Sequence, residues 1–245
     1  MMAVKGTLAR LLVDQWDFSC ETSGIDLTLT MNEEDVTSLC DTAMVNAPTL
    51  TGIKIAHNGY IKTLGVAAPG SIENELYNRM GVQGVYVAAL FGIDVPDCPA
   101  YVLDNTFGAN MEILAPAKGV LTLNGAWGEG DGGHRGIRAY DSVANATGAQ
   151  TAIDLGAAGT AGGECYLFMQ AITGTATNAT IQVQSSTTSG GTYTTVGTFT
   201  ISALGSYEVD FAGAVNRWVR LNVTSLGGST GLDMVAVVCV RGVTE

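Results

Sequence analysis

Apolar and polar positions alternate most clearly over residues 26–61. Leu27, Leu29 and Met31 are interleaved with Thr28, Thr30 and Asn32, and further on Leu50, Ile53 and Ile55 fall among Thr51, Lys54 and Ala56. A period of two marks a strand with one buried and one wet face, so strands are predicted at 26–34 and 50–61. The stretch between them, Glu33 to Pro48, is much longer than the roughly 2–5 residues of a hairpin loop. It reads as a loop held out by two long strands for something to touch. A first strand is predicted over 7–20, kinked at Asp14-Gln15, with turns at Ser23-Gly24 and Asn58-Gly59.

The period changes at residues 71–80, SIENELYNRM. Ile72, Leu76 and Met80 recur every four residues, Ser71 is a capping residue, Glu73 and Glu75 suit the positive end of a helix dipole, and Gly81 ends the run. One short amphipathic helix needs a sheet to pack against. Strands follow at 85–93, 100–104, 110–114 and 119–127, the middle two flanking a turn at Asn105–Gly108. GEGDGGHRG, residues 128–136, lacks the strand–glycine–helix setting of a phosphate-binding loop and reads as a linker. From Glu164 onward six short apolar runs are separated by turn residues such as Ser189-Gly190-Gly191 and Leu226-Gly227-Gly228. That spacing predicts a small β-sandwich. The expected fold is therefore mainly β: a sandwich or barrel domain with one helix over residues 1–133, a linker and first strand over 134–163, and a C-terminal β-sandwich, immunoglobulin-like or similar, over 164–245.

Composition adds a constraint on surface. The 245 residues are 47% hydrophobic and only 14% charged, about half the usual charged share. So little charge implies that much surface is covered by copies of the chain or by partners. Net charge is −12, which excludes general nucleic-acid binding, a role that needs Lys and Arg to displace counterions. An acidic surface repels phosphate, which is useful where DNA passes without sticking. The five cysteines form no CxxC pair and sit among apolar neighbours, as reduced, half-buried thiols do. No leader is read at the start, and no apolar run approaches the ~20 residues of a membrane span.

Candidate chemistry is sparse. His57 and His134 have no Cys or carboxylate at metal-ligand spacing, and neither GxSxG nor HExxH occurs. No enzyme activity, metal or other cofactor is expected. Glu33-Glu34-Asp35 is the densest charge run, read as a solvated loop or as the acidic rim of a channel. Period two places Thr28, Thr30, Asn32 and Glu34 on one face, the channel-lining candidates. Arg217, Trp218 and Arg220 form the C-terminal surface candidate, an aromatic flanked by hydrogen bonders. They read as an interface or packing feature, or as a sugar-binding patch.

Four short segments, in order, resemble the phage tail tube protein family. Leu12-Val13-Asp14 with Trp16-Asp17-Phe18-Ser19 is similar to that family's opening strand. Asp35-Val36-Thr37 with Asp41-Thr42 is similar to its segment between the two inner-sheet strands. Ala115-Pro116-Ala117-Lys118-Gly119-Val120 and the following LTLNGAWG resemble its last tube strand and the approach to it. Leu39-Cys40 stands where the family has Phe-Gly. The likeness spans residues 7–130. Residues 150–242, chiefly through Arg217-Trp218-Val219-Arg220, resemble the sandwich appended to many tail tube and other virion proteins.

The resemblance implies a structural virion protein, made in a bacterial cytoplasm and resident in the tail. Its inner sheets would join into sixfold rings that stack into a tube for DNA delivery. Asp35, Thr37, Asp41, Thr42, Val45 and Pro48 become inter-ring loop candidates. The implied partners are further copies, other tail proteins at the tube ends, and DNA passing without specific binding; no membrane insertion is implied. The other reading is a virion surface or adhesin protein whose sandwich binds host glycan.

Overall fold

In a computed structural model, residues 9–35, 46–61, 70–93, 97–128, 130, 132–175 and 177–242 are described; of residues 31–35 and 46–51 the backbone alone is described. The chain is mainly β with one short helix among these residues. In order, the elements are β1 (Ala9–Val13), β2 (Trp16–Asp17), β3 (Thr22–Asp35), β4 (Asn46–Tyr60), α1 (Ile72–Asn78), β5 (Val85–Phe91), β6 (Pro99–Leu114), β7 (Thr122–Gly128) and β8 (Gly132–Ala144). There follow β9 (Gly148–Ala149), β10 (Ile153–Asp154), β11 (Gly163–Gly174), β12 (Ala179–Ser186), β13 (Thr194–Ile201), β14 (Gly205–Phe211), β15 (Trp218–Ser225) and β16 (Ser229–Val240).

Contacts divide the chain into two units that do not follow chain order. The first draws on Met1–Cys20, Tyr86–Val102 and Arg135–Glu245, the second on Glu21–Val85 and Leu103–His134. The long strand β6 contributes to both, and so does β8. Two expectations are corrected here. Residues 100–114 are one strand rather than two around a turn: Asn105 takes a positive φ of 43° inside β6 and the chain continues. The glycine-rich segment expected as a linker enters β8, whose Ile137–Ala144 portion pairs with β16. Glycine there serves close packing, since a Cβ at Gly136 would meet the Cys239 sulfur and the Val238 carbonyl.

In the first unit one sheet runs β14–β11–β16–β8–β6–β5–β1–β2 and a second runs β10–β15–β12–β13 with β9 beside β15. Strands β11 and β16 are buried on both faces. Cys165, Leu167 and Met169, with Leu232, Met234, Ala236 and Val238, face Ile181, Val183, Val219 and Leu221 of the second sheet. Tyr166 and Phe168, with Val235 and Val237, face Leu12, Ala88, Leu90 and Val102. Strands covered on both sides read as continuous apolar runs, as CYLFM and MVAVVCV do. The first sheet rolls toward itself. The Ser206 hydroxyl on β14 donates to the Asp14 carboxylate after β1 (2.5 Å), and the Tyr86 hydroxyl on β5 donates to Glu208 on β14 (2.9 Å). Asp14, at φ 47°, is the predicted kink between β1 and β2. Arg10 on β1 pairs with Asp17 (2.7 Å) and with Asp141 on β8 (2.5 Å).

The second unit is the antiparallel sheet β3–β4–β7–β6 with α1 packed on it. The helix starts as its sequence predicts: Ser71 Oγ accepts from Asn74 N (3.3 Å), and the Glu21 carboxylate accepts from Ile72 N (3.3 Å). Its buried residues are Ile72 and Leu76. Leu76 lies over Gly125 of β7 and Gly108 of β6; a Cβ at Gly125 would collide with it, and one at Gly108 would press on it. Glycine on the sheet lets the helix backbone approach.

Candidate functional site

Register settles which side chains share each face of the second unit's sheet. Thr28 lies opposite Lys54, Thr30 opposite Gly52 and Asp26 opposite Ala56. Across the next pairs, Asn58 is opposite Asn124, Ala56 opposite Ala126, and Glu112 opposite Asn124. Directly opposed residues of an antiparallel pair point the same way, so Asp26, Thr28, Thr30, Lys54, Asn58, Asn124, Asn110 and Glu112 form one face. Thr28, Thr30, Asp26, Lys54, Asn58 and Glu112 are exposed. The carboxylates are held by neighbouring amides: Asn58 Nδ2 donates to Asp26 (3.4 Å) and Asn124 Nδ2 to Glu112 (3.2 Å). The centre of the face is small, with Ala56 and Ala126. The opposite face carries Ile53, Ile55, Leu123 and Trp127, all buried.

His57 belongs to that buried face, at alternate positions with Ile53 and Ile55. It is 1% exposed, opposite Ile25 and Gly125. Neither ring nitrogen has a hydrogen-bond partner, and burial lowers its pKa to about 4, so the ring is neutral at pH 7. His134 lies 3.3 Å from the Asp104 carboxylate. Among the described residues no cluster of three His, Cys, Asp or Glu is placed to hold a metal.

Of the channel-lining candidates, Thr28 and Thr30 share the exposed face. Asn32 and Glu34 are not carried there by counting, because the β3–β4 register shifts between Met31 and Glu33; their side chains lie outside the described residues. The expected loop is shorter than read, since pairing continues through Glu33 with Pro48 to Asp35 with Asn46. Asp35 and Pro48 therefore sit in strands, while Thr37, Asp41, Thr42 and Val45 lie outside the described residues. Among the described residues strand β3 pairs with β4 alone, which leaves its other side an open edge there. Leu29, on that edge strand, is 53% exposed although its opposite neighbour Ile53 is buried. Sequence reading missed Asp26, Asn58, Asn124 and Glu112; the alternation in LTLNGAWG was the signal for Asn124.

The C-terminal candidates separate. The Arg217 Nε and Nη2 donate to both oxygens of Asp154, each at 2.7 Å. This fork raises the Arg217 pKa and lowers that of Asp154. Arg217 also stands 5.8 Å from the Trp218 ring centre. Arg220 instead lies 3.8 Å from the ring centre of Tyr193, and its Nε donates to Gln184 Oε1 (3.0 Å), whose own amide donates to Gln182 Oε1 (3.1 Å). Gln182 and Gln184 could be read from their alternation with Ile181 and Val183; Tyr193, in a loop, had no such signal.

No family model matches this chain, and no curated protein sequence matches it. Among solved structures it is similar to a chain in the virion of a native gene transfer agent particle, with 11% identity and a TM-score of 0.42 over 54% of this chain and 97% of that one. It is similar to the SPP1 tail tube, with 11% identity and a TM-score of 0.39 over 51% and 75%. It is also similar to the SPP1 Dit protein of a phage hub adsorption apparatus, with 12% identity and a TM-score of 0.32 over 95% and 98%.

Proposed function

We propose that this chain is a structural tail protein whose second-unit sheet joins with those of other copies into a ring, and that rings, six subunits each, stack into a tube through which DNA passes. One observation carries the reading: a long amphipathic sheet with a polar, small-centred face ends in the open edge of β3. An exposed edge of 14 residues is an aggregation hazard unless it is paired, and closing sheets into a barrel removes it. The face of Thr28, Thr30, Asn58 and Asn124 offers hydroxyls and amides, with Asp26 and Glu112 acidic and Lys54 the basic exception. Such a wall repels phosphate weakly, with Lys54 its single cation among the described residues. In the proposal Asn32 and Glu34 belong to the channel rim, and residues 35–48 contact the next ring. The tube role is assigned to the second unit, Glu21–Val85 with Leu103–His134.

Assembly tests it. Concentrated protein should form stacked rings in negative stain. Leu29→Glu, a change at a half-exposed edge position, should keep the fold by circular dichroism and stop assembly. A monomer at every concentration in sedimentation overturns the proposal. The channel assignment is tested separately by Thr28→Lys with Thr30→Lys, which should leave tubes intact and slow DNA ejection from assembled particles; unchanged ejection removes this face from the channel.

A further inference from the structure

The outer face of the sheet β10–β15–β12–β13 carries a cation without a carboxylate. Residues 151–245 contain three basic residues, Arg217, Arg220 and Arg241. Arg217 is held by Asp154 and Arg241 by Glu164. Arg220 makes no ion pair with a described residue. Its Nε is fixed by Gln184, one face of its guanidinium is covered by Tyr193, and no described residue bonds its Nη groups. Gln184 is in turn fixed by Gln182. The side chain is therefore oriented, with its bidentate edge free, in a chain whose net charge is −12. A guanidinium held this way matches a carboxylate, and the cation–π contact with Tyr193 lowers the ordering cost of binding.

The surroundings select the kind of carboxylate. Strand register puts Gln182 beside Asn222 and Thr198, and Trp218 two positions along β15 from Arg220. These are amides and hydroxyls that both donate and accept, with two half-buried aromatics, Trp218 and Tyr193. None of the large exposed hydrophobic residues lies on this face. A protein partner needs a continuous apolar interface core, and two separated, half-buried aromatics without an exposed aliphatic neighbour do not supply one. Vicinal hydroxyls of a sugar satisfy paired amides and hydroxyls, and its C–H face stacks on an aromatic ring.

We propose that this face binds a carboxylate-bearing polysaccharide, with a uronate or similar acidic sugar on the Arg220 fork and neighbouring hydroxyls on Gln182, Asn222 and Thr198. Arg217 is not part of the ligand site; it is a strut that fixes β10 to β15. The site stands independently of the tube reading.

The test is a titration of the full chain, isotope-labelled, with oligoguluronate of about six sugars, beside neutral maltohexaose and poly-L-glutamate. Shifts should centre on the Trp218 indole, the Gln182 amide and Arg220 Nε. Arg220→Gln should weaken oligoguluronate binding at least tenfold, Arg220→Lys should also weaken it because a point charge cannot form the fork, and Lys118→Gln should bind as the parent does. If Arg220→Gln does not fold, the shift map of the parent protein decides. No shifts on this face overturn the proposal. Equal binding of poly-L-glutamate reduces the site to charge alone and overturns the glycan assignment, and equal binding of maltohexaose overturns the role of Arg220.

Discussion

Position 57 buries an imidazole with neither nitrogen bonded, between a sheet and a helix. Its pKa of about 4 in the folded chain lies below the ordinary value near 6.5. As pH falls through 6.5 the unfolded chain takes the proton first, so stability declines from about pH 6.5 down to about 4 and this contribution is level below that. The full loss is of order 3 kcal/mol. His57→Leu should remove the penalty, so that the variant gains on the parent by about that amount between pH 7.5 and pH 4 in urea unfolding. An apolar replacement also relieves two unsatisfied nitrogens. Gly125 gives a companion prediction. Gly125→Ala drives a methyl group into Leu76 and His57, and should cost about 1–3 kcal/mol by the same measurement. Cys165 is wholly buried and its thiol pKa is pushed up by burial, so it should resist alkylation in the native protein while exposed Cys20 reacts.

Among elements, β11 has the least usual demands. A strand with one wet face tolerates change at every second position, but Leu167 and Phe168 point into different cores and both are fully buried. Leu167→Ala and Phe168→Ala, neighbours in sequence, should each destabilise by about 2–5 kcal/mol, measured by urea unfolding. The edge strand β3 behaves differently: its exposed positions should matter for assembly and little for folding. Helix α1 was legible because its signals are local, namely a capping serine, a four-residue apolar repeat and a closing glycine. The single strand β6 was not, because Asn105 and Gly108 carry turn chemistry. Gly108 is needed there for the approach of the helix end: its N–H donates to Arg79 O (2.8 Å) and its carbonyl accepts from Gly81 N (3.0 Å).

At the scale of the whole molecule, the contact units cut across chain order, and this bears on truncation. Leu12, Leu90 and Val102 pack against Tyr166, Phe168, Val235 and Val237. A chain ended at Gly133 loses that wall along with nearly all of β8. The fragment should therefore show poorly dispersed amide signals and no cooperative unfolding, whereas the full chain unfolds cooperatively. A well-folded fragment would mean that residues 1–133 form a core of their own.

The sequence by itself determined the β class, the helix with its cap, the kink at Asp14, the six strands after Glu164 and the polar Thr28–Thr30 face. These follow from period, turn residues and capping, which act over a few neighbours. The tertiary structure alone decided that residues 137–144 pair with β16, that β11 and β16 are walls of two cores, and that Arg217 is ion-paired while Arg220 is held by an amide and a ring. Each of these depends on which distant strand completes a sheet, and glycine-rich or continuously apolar segments carry no periodicity that names their partner.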